Sequence, residues 1–197
     1  MRVTHNTVFL SLIIFLLAPL SAQVVQVEGV KNRVLRNGWL QSSISLATNA
    51  NTDPKAVNPN FVEDITVTLY LGFKNEKVSG GIDFYTASVS ILALEKGDKN
   101  TVSFYIPNKI MEMNRYASPT YYFAEVLLGN RAQQYNQNAF SRNFSSKESL
   151  NSFKNKAKTG SLRNKGRLMP SYFAPISFQS STEEVTPIYL RTESTDY

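Results

Sequence analysis

The chain has 197 residues, of which 42% are apolar, 12% aromatic and 18% charged, with a formal net charge of +6. Zero cysteines exclude disulfides, thiolate metal sites and cysteine nucleophiles, and the single histidine, His5, stands in a segment read below as removed. Without either side chain, Ser-His-Asp catalysis, histidine zinc sites and most redox chemistry are excluded, while 12 Phe and 10 Tyr can furnish the core of one ordinary domain.

Val8 to Leu17 is an uncharged apolar run, preceded by Arg2 and followed by Ala18-Pro19-Leu20-Ser21-Ala22. A basic start, a short apolar stretch and a small residue before the cut describe a secretory signal peptide over residues 1–22, leaving Gln23 as the mature start. The alternative, an uncleaved anchor, needs about 20 apolar residues to cross a bilayer. A lipoprotein is excluded because no cysteine follows the run, and the missing glutamate argues against a type IV pilin leader. The expected location is therefore periplasmic, outer-membrane-associated or extracellular, with no stable membrane insertion of the mature chain.

Period-two alternation governs residues 23–129. Val25 and Val27 predict a short strand ended by Gly29, and Leu40, Ile44 and Leu46 share one face of a second strand, opposite Gln41, Ser43 and Ser45. An Asn-rich loop with Pro54 and Pro59 follows, from Thr48 to Asn60. The spacing then predicts a long strand from Phe61 to Phe73, and another from Phe84 to Leu94 with a slip between Tyr85 and Val89 that hints at a bulge or two strands. Glu95 to Asn100 reads as a hairpin leading into Thr101–Ile106, and Tyr121–Leu128, apolar or aromatic on both faces, reads as a central strand. About seven strands with turns at regular spacing point to an antiparallel sandwich as the core.

The pattern changes over residues 130–170, which carry nine Lys or Arg against one acid, whereas 23–129 holds ten of each sign. There Ser145-Ser146-Lys147-Glu148 resembles a capping box with Ser145 as N-cap, and Leu150, Phe153 and Ala157 share one face of a helix expected at 146–158, with Gly160 as its stop. Residues 171–197 form the closing part, with weak strands expected at Tyr172–Phe178 and Val185–Arg191.

Lys154, Lys156, Lys158, Arg163, Lys165 and Arg167 are candidate contacts to a polyanion, with Tyr135, Phe140 and Phe144 as aromatic contacts to sugars or bases. The plainer reading is a solvated, flexible insert, dispensable for folding, and the absence of any nucleic-acid motif disfavours that partner. The acid pairs Glu63-Asp64 and Glu183-Glu184 point to opposite faces if they lie on strands, so neither can flank one glycosidic bond; Asp83 with Glu125 is an alternative pair. Asn49, Asn51, Asp53 and Asn58 offer oxygen ligands to calcium, or simply build turns. Tyr70, Tyr85, Tyr105, Tyr121 and Tyr122 fall mostly on second strand faces, either as an exposed ladder or covered by the C-terminal section folding back.

Trp39-Leu40 entering a strand, the Ile65–Phe73 strand, the Glu95–Asn100 turn and the Tyr121–Leu128 strand resemble an immunoglobulin-like β-sandwich, outside the disulfide-bonded antibody subgroup. With the signal peptide and the stretch Phe61 to Pro107, the chain resembles secreted immunoglobulin-like proteins encoded with type IV pilus components in mucin-dwelling Verrucomicrobia. That resemblance implies an exported, non-catalytic component linked to pilus formation or surface contact, with envelope or pilus proteins as partners and no cofactor. The competing expectations are a module binding carbohydrate or an acidic glycan through the basic insert and a hydrolase built on carboxylates.

Overall fold

The computed structural model describes residues 23–76, 80–175 and 186–190. Among these residues nine strands form two antiparallel sheets: β1 (Val25–Val34), β2 (Leu40–Thr48), β5 (Lys99–Ile106) and β8 (Met169–Pro170) in one, and β7 (Arg131–Ala132), β6 (Tyr121–Leu128), β3 (Phe61–Asn75), β4 (Gly81–Glu95) and β9 (Tyr189–Leu190) in the other, in those spatial orders. In immunoglobulin lettering this is A-B-E against G-F-C-C′, so the expected immunoglobulin-like sandwich is the fold. The core between the layers takes Leu40, Ile44, Leu46, Val102, Phe104 and Ile106 from the first sheet and Ile65, Val67, Leu69, Leu71, Phe73, Tyr85, Val89 and Ile91 from the second.

Three local expectations need correction. Gly29 does not end the first strand; it follows a register shift after Val27, and β1 runs on to Val34. Glu95–Asn100 is not a hairpin, because β4 pairs with β3 and β5 pairs with β2; the turn carries the chain from one sheet to the other. No slip occurs between Tyr85 and Val89, since the β3–β4 register is uniform there. The irregularity lies instead at Asp64, whose φ of 55° lets Val62 and Ile65 both face inward although their spacing is odd.

A short helix not anticipated from sequence, α1 (Asn108–Asn114), follows Pro107, buries Met111 and ends at Arg115 in the left-handed region, linking β5 to β6. The helix in the basic stretch, α2, covers Lys147–Gly160. Its box differs from the expected one: Ser146 is the N-cap and Ser149, not Glu148, answers it. Gly160 is no stop, because a 3-10 turn, Ser161–Asn164, continues directly.

The basic stretch is not a solvated insert. Helix α2 lies on the outward face of the second sheet, burying Leu150, Phe153 and Ala157 against it, and burial of each large side chain contributes about 1.5–3 kcal/mol. Glycine makes this approach possible: a Cβ on Gly72 of β3 would meet the Phe153 ring at 2.8 Å, and one on Gly160 would meet Phe84 of β4 at 2.6 Å. Of the closing strands, Tyr172 and Phe173 lie in a 3-10 turn, and β9 is the described part of the second; residues 176–185 and 191–197 and the expected signal peptide lie outside the described residues.

Candidate functional site

The second sheet turns Thr68, Tyr70, Phe84, Tyr121, Phe123 and Glu125 outward, a face too aromatic to leave in water. The chain from Gln133 to Gly160 covers it. Tyr135 meets Phe123 edge to face at 5.3 Å, Phe140 bridges by its backbone to Phe123, and Phe144 stands 5.3 Å from Tyr121 and 5.1 Å from Phe153. Tyr70, 5.9 Å from Phe123, is buried beneath them. The tyrosine ladder therefore divides: Tyr70 and Tyr121 are covered by the C-terminal section, Tyr85 and Tyr122 face the inner core, and Tyr105 is buried on the other sheet. Tyr135, Phe140 and Phe144 serve first as the anchors of this cover; sequence offered them as free contacts because cross-sheet packing is non-local.

Among the candidate cations, Lys154 is spent on structure. Its Nζ pairs with Glu125 Oε1, while the Tyr70 hydroxyl donates to Glu125 Oε2 at 3.0 Å. The Lys154 and Glu125 side chains are only 23% and 10% exposed, and burial with the neighbouring carboxylate pushes the Tyr70 phenol well above its ordinary value. Arg167 donates to Asn164 Oδ1 at 3.0 Å and reaches the Tyr85 hydroxyl. Lys156, Lys158, Arg163 and Lys165 are exposed, and none has an ion-pair partner among the described residues. Lys154 and Lys156 are roughly 200° apart around α2, so these two cations do not share one face.

The acids behave differently from expectation at one point. Asp83 and Glu125 cannot act as a pair, because the uniform registers place Asp83 on the inner face and Glu125 on the outer face of the same sheet. Asp83 instead accepts from the Tyr116 hydroxyl, and burial, reinforced by that bond, drives the Tyr116 phenol far upward. Glu63 and Asp64 do share one side, since the left-handed Asp64 breaks strand alternation. Together with Asp53 and Arg131 they line a groove of about 680 Å³ between the Asn-rich loop and the β6–β7 turn. Arg131 lies 3.7 Å from Asp53. Among the described residues, no three of His, Cys, Asp or Glu gather closely enough to hold a metal. The calcium-like loop is turn chemistry: Asn51 accepts from the Asp53 amide, Asp53 from Lys55 and Asn58 from Asn60, and Asn49 donates to the Gln23 carbonyl. Glu183-Glu184 lies outside the described residues.

A second groove, about 530 Å³, runs between the cover and the start of α2. The rings of Tyr135, Phe140 and Phe144 line it together with Asn138, Arg142 and Lys147. Sequence reading passed over these last two cations; the signal was Arg142 alternating between Phe140 and Phe144, which puts a charge beside two rings. On the opposite side of the molecule, the first sheet presents Ser43, Ser45, Thr101 and Ser103 half-exposed, with Lys31 and Arg33 exposed beside them.

No protein-family model and no curated protein matches the chain. Among solved structures, the crystal structure of a protein from Akkermansia muciniphila is similar with a TM-score of 0.60 at 13% identity, over 85% of this chain and 93% of that one. That source is a Verrucomicrobium, the group to which the sequence resemblance points, and the likeness is one of fold.

Proposed function

We propose that the chain is exported and works at the cell envelope as a non-catalytic interaction module, in contact with pilus-forming or other surface proteins. The observation that carries this reading is the open half of the first sheet. The outward backbone groups of Gly29–Val34 on edge strand β1 have no hydrogen-bond partner among the described residues, and the hydroxyl-lined face beside them has no covering layer there. Open edges and flat polar faces are how sandwiches add a partner strand or dock a loop. The apolar run from Val8 to Leu17, followed by small residues up to Ala22, supports export. Among the described residues no helix is long and apolar enough to cross a membrane.

The test is expression of the full chain in a Gram-negative host, followed by fractionation, amino-terminal sequencing and cross-linking through a photoreactive residue placed at Val34, which is 49% exposed. A mature chain beginning at Gln23 in the envelope fraction, cross-linked to a surface protein, is the expected result. Retention in the cytoplasm, or turnover of a glycoside that disappears with Asp64→Asn, would overturn it.

A further inference from the structure

We infer that the groove at the start of α2 is a binding site for a short acidic saccharide. This rests on the envelope-interaction reading for its setting but on separate residues for its chemistry. The groove's volume, about 530 Å³, lies in the range of about 300–1,000 Å³ that ligand sites occupy. Its walls combine three kinds of group that saccharide recognition uses. Tyr135, 36% exposed, and the half-buried Phe140 and Phe144 give apolar surface for the C–H face of a sugar. Asn138 brings an exposed side-chain amide, a donor and acceptor for hydroxyls. Arg142 and Lys147 line the same walls, both exposed and neither ion-paired among the described residues, and a carboxylate or sulfate would answer them.

The rim is held before any ligand arrives. Phe140 is tied to β6 by its backbone bridge to Phe123, Asn136 accepts from the Asn138 amide and donates to the Val27 carbonyl, and Ser146 and Ser149 cap each other beside Lys147. A preformed rim spares the ordering cost that weakens loop-borne sites. The exposed Lys158 and Lys165 do not line the groove, so local recognition and diffuse charge attraction can be separated.

The test is calorimetric titration of the mature chain with a heparin-derived tetrasaccharide, a neutral cellotetraose and a short single-stranded DNA, on wild type and variants whose melting is followed in parallel. Saturable binding of the acidic tetrasaccharide, at least about tenfold weaker in Arg142→Gln/Lys147→Gln and in Tyr135→Ala but within about twofold of wild type in Lys158→Gln/Lys165→Gln, is the expected result. Equal weakening by both cation pairs, tighter binding of DNA, or no saturable binding of the tetrasaccharide would overturn it. Envelope fractionation of the wild type separates the two readings: export and surface cross-linking without saccharide binding sinks this site alone, and saccharide binding by a chain that is never exported sinks the envelope reading alone.

Discussion

The outward faces of the two sheets were built to opposite ends. The second sheet carries Tyr70, Phe84, Tyr121 and Phe123 outward and is sealed by a third layer made from the most basic part of the chain. The first, beyond the buried Gln41 and Tyr105, carries half-exposed serines and threonines outward, paired only lightly, as in the 3.0 Å contact between the Ser43 and Ser103 hydroxyls, and no layer covers them among the described residues. A strand pattern that is apolar on both faces thus announces a covering layer, even when the cover itself reads as a charged loop.

Removing the cover should have the largest effect. Deletion of residues 130–165 is expected to abolish cooperative unfolding in urea, and Phe153→Ala alone to cost about 3–5 kcal/mol, because the ring fills the space over Gly72. Gly160→Ala should cost about 1–3 kcal/mol by driving a methyl into the Phe84 ring, despite the better helix propensity of alanine; a neutral or stabilising result would mean that α2 stands further from the sheet. Lys154→Met leaves Glu125 nearly buried without its cation, and a loss of about 1–3 kcal/mol, read from denaturation midpoints, is expected for a pair still partly open to water.

Alkali gives a further contrast. The Tyr70, Tyr85, Tyr105, Tyr116 and Tyr189 phenols are all pushed above their ordinary value of 10.0, chiefly by burial, so the folded state favours their protonated forms. The stability they contribute is complete below the unfolded value and is lost as the pH rises above about 10. Denaturation midpoints measured from pH 8 upward should stay flat until that point and then fall, less steeply in Tyr70→Phe. The smallest effect belongs to the open face: Ser45→Ala on the first sheet should change stability by less than about 0.5 kcal/mol.

Strand positions were readable because burial on a sheet imposes a period of two on Leu40, Ile44 and Leu46 and on Ile65 to Leu71. Sheet membership was not, since a turn such as Glu95–Lys99 has the same polar composition whether it closes a hairpin or crosses between layers. The roles of Gly72 and Gly160 were hidden for a related reason: each answers a ring far away in sequence, Phe153 and Phe84. Charge counting found the basic stretch but could not divide it. Lys154 faces a buried carboxylate supplied by β6, and Arg142 and Lys147 come together only when the turn before α2 is folded against the sheet.

Native-state hydrogen exchange sets the two regions against each other in one experiment. If the basic stretch is an integral layer, the amides of α2 around Leu150, Phe153 and Ala157 should exchange with the same opening free energy as those of β3 and β6, while the outward amides of β1 between Gly29 and Val34 exchange fast. Fast exchange throughout α2 beside a fully protected sandwich would contradict it.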